Sequence, residues 1–105
     1  MPKAIFGGIE LEIDENGFIQ EPEKWNKVVA EDIARTETTS PMNEEHWKVV
    51  NYIRNYYLEY GIAPPIRMLT KQTGFDLKYI YQLFPSGPVK GACKIAGLPK
   101  PDGCV

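Results

Sequence analysis

A chain of 105 residues, 43% hydrophobic and 25% charged, is long enough for one packed core and too short for two. Its net charge of −2 gives it no general attraction for a nucleic-acid backbone or a membrane surface. No apolar run approaches the roughly 18 residues needed to span a bilayer. The opening Met1-Pro2-Lys3-Ala4-Ile5-Phe6-Gly7-Gly8 is too short, and too quickly acidic, for a secretion signal. Six tyrosines, four phenylalanines and two tryptophans point to a packed interior rather than disorder. The expected location is the cytoplasm.

Residues Ala4 to Gln20 read as a small β-meander. Gly7-Gly8 is a tight-turn pair, and Ile9, Leu11 and Ile13 alternate with Glu10, Glu12 and Asp14 as in a strand buried on one face. Asp14-Glu15-Asn16-Gly17 forms the next turn, and Phe18-Ile19 opens a short third strand. Pro22 to about Glu37 then reads as an amphipathic helix, with Trp25, Val28, Val29, Ala30, Ile33 and Ala34 at helical spacing. A polar break, Thr36 to Pro41, precedes the longest helix, from Pro41 or Asn43 to Tyr60, which Gly61 ends. Its apolar line is Trp47, Val50, Ile53, Tyr57 and Tyr60. His46, the one histidine, stands near this helix start as a surface or capping residue; a metal site would need further ligands.

Ala63-Pro64-Pro65 opens a third helix, Ile66 to Thr73, closed by Gly74, and Asp76 caps a fourth, Leu77 to Phe84, stopped by Pro85. The pair has helix-turn-helix character: Ile66, Leu69, Ile80 and Leu83 face inward, while Arg67, Lys71 and Lys78 lie outward. The acidic balance of the chain argues against a phosphate-backbone partner for that surface. A short helix from about Pro88 to Ala96 follows, ended by Gly97. Leu98-Pro99-Lys100-Pro101 cannot continue it. The expected architecture is an α+β domain over 1–97, an N-terminal antiparallel β-meander packed on about five helices. A mobile C-terminal arm over 98–105 completes it.

Chemistry concentrates at the end of the chain. There is no Ser/His/Asp set, no Gly-rich phosphate loop after a strand and no paired CxxC, but both cysteines, Cys93 and the penultimate Cys104, lie here. They are eleven residues apart, about 35 Å when fully extended, yet the segment could fold back to bring the sulfurs together. Two cysteines alone cannot fill a tetrahedral zinc site without a second chain. Three readings remain: a disulfide stabilising by roughly 3 kcal/mol in the chain-entropy model, inert thiols, or functional thiols. A cytosolic compartment disfavours the first. Lys90, Lys94 and Lys100 favour a thiolate, whereas Asp102 and the terminal carboxylate of Val105 oppose it at Cys104. Activation of the arm would then come from docking in a basic partner cleft.

Phe84-Pro85-Ser86-Gly87-Pro88, followed by Gly91-Ala92-Cys93-Lys94-Ile95-Ala96-Gly97-Leu98-Pro99-Lys100-Pro101-Asp102-Gly103-Cys104-Val105, resembles the C-terminal pattern of the DsrC/TusE family of sulfur carriers. Upstream, the resemblance runs through Glu44-Glu45-His46-Trp47, Tyr56-Tyr57, Ala63 to Leu69 and Tyr79 to Phe84, and so covers nearly the whole chain. Within the family the penultimate cysteine is shared, and a second cysteine at the position of Cys93 marks the DsrC branch. The TusE branch usually lacks it and has a longer connection where this chain has Thr73-Gly74-Phe75-Asp76.

The resemblance implies a carrier and co-substrate rather than an enzyme. The arm would enter the αβ dissimilatory sulfite reductase, whose sirohaem and iron–sulfur clusters are the cofactors involved, the carrier having none of its own. Cys104 would take up partly reduced sulfur and Cys93 would close on it as a trisulfide. A membrane-bound thiol/disulfide reductase complex (DsrMKJOP-like) would then release sulfide. Lys90, Lys94, Lys100 and Arg67 would neutralise anionic sulfur or act only as surface charges. The alternatives are a persulfide relay for tRNA 2-thiouridine synthesis and a helix-turn-helix DNA-binding regulator with a thiol switch.

Overall fold

Strands β1 (Lys3–Phe6) and β2 (Ile9–Glu12) pair antiparallel, Lys3 opposite Glu12 and Phe6 opposite Ile9, in a computed structural model that describes residues 2–37, 39 and 41–100. The turn between them requires Gly7 and Gly8, both at positive φ, and the Gly7 amide donates to the Asp32 carboxylate. The expected third strand contracts to a single bridge, Ile13 opposite Ile19. Two local causes shorten it. Asp14 Oδ1 accepts from the Asn16 and Phe18 amides at 2.8 and 2.9 Å, which winds the turn tightly. Three residues after Ile19 comes Pro22, which has no N–H for a ladder.

The helix expected from Pro22 starts five residues later. Pro22–Lys24 makes one 3-10 turn, Trp25 and Asn26 are extended, and α1 runs Lys27–Thr36. Asn26 restarts it, its side-chain oxygen accepting from the Val29 amide at 2.9 Å. Val29, Ala30, Ile33 and Ala34 are buried as expected; Val28, on the other side, is 59% exposed.

Helix α2 is Glu44–Tyr60, capped by Asn43 and closed by Gly61 in the left-handed conformation. Its buried residues are Val49, Val50 and Ile53; Trp47 and Tyr57 pack at the margin, and Tyr60 is 59% exposed instead of buried. Helices α3 (Ile66–Thr73) and α4 (Leu77–Leu83) follow, ended by Gly74 and capped by Asp76 respectively. Leu69, Ile80 and Leu83 turn inward, and Ile66 is half-buried. A final helix, Pro88–Cys93, has π rather than α geometry.

One core unites the elements: Leu11 and Ile19 from the strands, the buried faces of α1 and α2, Leu69, Ile80, Leu83 and Phe84, and Ala92, Cys93, Ile95, Ala96 and Leu98. Each large aliphatic side chain fully buried there contributes about 1.5–3 kcal/mol. Among the described residues no helix is long and apolar enough to cross a membrane.

Candidate functional site

The terminal π-helix is threaded into the core rather than laid on it, and glycines at three points permit this. Gly87, at φ 92°, carries the chain from α4 into the helix past the Tyr81 ring, which an added Cβ would approach to 3.0 Å. Gly91 lets the helix backbone lie against Phe84, whose Cβ would stand 3.0 Å from a new methyl. Gly97, at φ 79°, ends the turn after the helix directly under Trp25; a Cβ there would lie 2.2 Å from the indole Cδ1. A position that needs both left-handed backbone and an absent side chain admits glycine alone.

Cys93 is the last residue of the π-helix and is buried, 5% exposed. Beyond it the helix continues in α geometry through Lys94 and Ile95 and is closed by Gly97, as the sequence predicts, in a Schellman cap. The Ala96 amide donates to the Ala92 carbonyl at 2.9 Å, Gly97 to Lys94 at 3.1 Å and Leu98 to Cys93 itself at 3.2 Å. Leu98 is 1% exposed, Pro99 half-buried and Lys100 exposed, so the body extends through Leu98 and the backbone reaches the surface just after it.

Two side chains from distant elements seize this helix end. The Trp25 indole N–H donates to the Ile95 carbonyl at 2.7 Å. The Arg54 guanidinium donates to the Ala96 carbonyl at 3.3 Å and to the Pro22 carbonyl at 2.7 Å, and lies 4.7 Å over the Trp25 ring. Carbonyls at a helix C-terminus lack intrahelical partners and carry negative partial charge, so a cation and an indole N–H suit them. Burial draws Arg54 below the usual arginine range, against a smaller opposite effect of Tyr57, and leaves it a cation. Lys94, next to the cysteine, is drawn to the opposite side: its ammonium lies 3.0 Å from the Glu37 carboxylate and 5.5 Å over the Phe18 ring.

The sequence-derived site residues therefore fall in different settings. Cys93 is in the core; Cys104 lies outside the described residues. Lys94 is engaged with Glu37, its side chain 13% exposed. Lys90 is exposed on the π-helix and Lys100 where the chain surfaces, whereas Arg67 is exposed on α3, a separate element. No group of three or more histidine, cysteine, aspartate and glutamate side chains able to hold a metal occurs among the described residues. His46 caps α2 as expected and does more: its Nδ1 accepts from the Asn43 amide at 3.1 Å, and its Nε2 stands 2.9 Å from the Leu83 carbonyl. Trp25 and Arg54 were not among the sequence candidates. The available signal was Arg54 itself, a charge set between Val50, Ile53 and Tyr57 on the apolar face of α2.

The family model for DsrC like protein matches residues 5–105. The chain belongs to the DsrC-like family. It is 46% identical, over the whole of both chains, to the gamma subunit of dissimilatory-type sulfite reductase from Nitratidesulfovibrio vulgaris. It is 44% identical to the sulfurtransferase TusE of Escherichia coli over 108 aligned positions, covering 96% of this chain and 98% of that one. Among solved structures, the oxidized gamma subunit (DsrC) from Archaeoglobus fulgidus superposes with a TM-score of 0.89 at 48% identity, covering 99% of this chain and 100% of the other. The α+β fold is that of the DsrC structures.

Proposed function

We propose that this protein is a cytoplasmic sulfur carrier and co-substrate of dissimilatory sulfite reductase, working with the αβ enzyme as the partner that supplies the catalytic cofactors. The observation that carries the reading is the placement of Cys93 in the last turns of the terminal helix, one hydrogen bond from Leu98 where the chain reaches the surface, with Cys104 six residues beyond Leu98. Those six residues span about 20 Å when extended, enough to carry a thiol into a partner's cleft while the body stays outside. The same cysteine can return to the helix end and meet Cys93. Full-length correspondence with a gamma subunit favours this partner. The alignment with TusE is longer than this chain and so includes residues that this chain lacks.

In this scheme sulfite, the two thiols, two electrons and four protons give one sulfur bridged between Cys104 and Cys93, plus three waters. Both cysteines lose their hydrogens and the sulfur is reduced by the electrons together with the thiol pair. Four further electrons and four protons, from a membrane-bound thiol/disulfide reductase, release sulfide and restore both thiols by exchange at sulfur. Lys90, Lys100 and Arg67, exposed, are the cations available to anionic sulfur species or to the partner surface.

The test is the intact mass of the non-reduced protein after turnover of sulfite with a dissimilatory sulfite reductase under electron limitation. The expected product gains one sulfur and loses two hydrogens, and both Cys93→Ala and Cys104→Ala abolish it. A persulfide on Cys104 that forms equally well in Cys93→Ala would instead identify a single-thiol relay of the TusE kind. No adduct in any variant would overturn the carrier reading.

A further inference from the structure

We propose that the outer face of the α3–α4 pair is a docking surface for an acidic, partly apolar protein surface. The proposal rests on the sulfur-carrier reading for the identity of that partner, the αβ sulfite reductase, while the charge pattern stands separately. Residues 1–60 carry twelve acidic side chains against six basic ones, and residues 61–105 carry six basic against two acidic. The acidic portion neutralises cations of its own: Lys3 pairs with Glu10, Lys24 with Glu21 and Arg35 with Asp32. After Gly61 only Lys94 has a carboxylate within ion-pair reach among the described residues, and Asp76 is engaged as the α4 cap, accepting the Tyr79 amide at 2.8 Å. Arg67, Lys71 and Lys78 are exposed and make no ion pair among the described residues.

Helical spacing gathers them. On α3, Arg67, Met68 and Lys71 are exposed at i, i+1 and i+4, opposite the buried Leu69 and Thr73. On α4, Leu77, Lys78 and Tyr81 repeat that spacing opposite Ile80 and Leu83. A short turn, residues 74–76, joins the helices, so the second stripe follows the first across one bend. Met68, Leu77 and Tyr81 are each more than a third exposed, so each stripe sets apolar surface among its cations. Cations without counter-charges repel one another, and an anionic surface relieves that repulsion. Methionine, tyrosine and arginine are also side chains in which protein interfaces are enriched. A nucleic-acid duplex suits the face less well. It presents a phosphate charge about every 1.7 Å, which three cations leave mostly unmatched and the acidic portion repels. An acidic protein patch of limited extent matches the cations and the apolar side chains together. The acidic portion of the chain repels the same partner, so the charge pattern selects which side approaches.

The measurement is the dissociation constant of the full chain with αβ dissimilatory sulfite reductase, by calorimetry at several salt concentrations, with the thermal midpoint of each variant checked. The triple variant Arg67→Gln, Lys71→Gln, Lys78→Gln is compared with Lys3→Gln, Lys24→Gln, Arg35→Gln, which removes the same charge from the acidic portion. A charge-keeping variant, Lys71→Arg with Lys78→Arg, is the third. The expected result is an affinity lowered about tenfold or more in the α3–α4 triple, with a shallower salt dependence, and changed less than about twofold in the other two. Equal losses in the two triples would assign the effect to net charge and overturn the proposal. So would a folded α3–α4 triple that binds like the unmodified chain, or an unmodified chain that does not bind. Tighter binding to a short DNA duplex than to the sulfite reductase, lost in the α3–α4 triple, would make the face a nucleic-acid surface and overturn it too. A sulfite adduct that fails to form, with affinities shifted as expected, would remove the carrier reading and leave the docking surface standing. An adduct that forms while all variants bind alike would do the reverse.

Discussion

His46 sits in the first turn of α2, yet its Nε2 lies 2.9 Å from the carbonyl oxygen of Leu83, the last residue of α4. Its Nδ1 accepts the Asn43 amide while Asn43 accepts the His46 amide, so one imidazole closes a capping box and satisfies a C-terminal carbonyl of another helix. The ring also meets Phe84 edge-on at 5.3 Å. The start of α2 is thereby tied to the segment that launches the π-helix. His46→Ala removes both bonds and the ring contact and should cost about 1–3 kcal/mol. For a domain of this size that lowers the thermal midpoint by several degrees, on the scale of about 4–8 °C per kcal/mol, measured by calorimetry.

Gly97 and Gly61 share a left-handed backbone, at φ 79° and 75°, but not their surroundings. An added Cβ meets nothing within 4 Å at Gly61 and meets the Trp25 ring at 2.2 Å at Gly97. Gly61→Ala should cost about 1 kcal/mol, the conformational term alone. Gly97→Ala adds displacement of the indole and should cost several times more, read as the urea midpoint at unchanged m-value. Equal costs would mean that Trp25 does not press on the turn.

The Lys94–Glu37 pair is withdrawn from water, with side chains 13% and 14% exposed, whereas Arg35 pairs with Asp32 at 60% and 32%. A double-mutant cycle on Lys94 and Glu37 should return a coupling of about 1 kcal/mol or more that survives about 1 M salt. The same cycle on Arg35 and Asp32 should return a few tenths of a kcal/mol and vanish in salt.

Tyr52 is pushed above the usual tyrosine range, first by burial and then by the neighbouring phenols of Tyr56 and Tyr60. Tyr79 is pushed the same way, first by its hydrogen bond to Glu45. A group that holds its proton more tightly when folded stabilises fully below its unfolded pKa, and that contribution fades as pH rises through the folded value. Stability should therefore fall as pH climbs above about 10. Tyr52→Phe should flatten that decline, measured as the denaturant midpoint from about pH 8 to about pH 11.

Helices bounded by residues with one backbone meaning were legible from sequence. Pro65 and Gly74 delimit α3, and Asn43 and Gly61 delimit α2, because prolines, left-handed glycines and short polar caps act locally. The break at Trp25-Asn26 was not legible: Trp25 falls at helical spacing with Val28 and Val29, and only its distant bond to Ile95 shows why it stands outside α1. The third strand dissolved for a similar reason, the Asp14 turn and Pro22 outweighing the apolar character of Phe18 and Ile19. At the site, composition and position pointed to Cys93, but the bonds of Trp25 and Arg54 to the residues after it span seventy and forty-two positions, which no local pattern encodes.

The π geometry of Pro88–Cys93 turns segment length into a design variable. A π turn is an α turn with one residue spliced in, and removing that residue would rotate everything downstream by about 100°. Cys93 would then swing out of the core and Leu98 would lose its alignment with the Cys93 carbonyl. The bearing of the thiol thus depends on the number of residues between Gly87 and Gly97 as well as on the small side chains that Gly91, Ala92 and Ala96 present to the core. For this protein the direction in which the Cys93 side chain faces is written partly as a count.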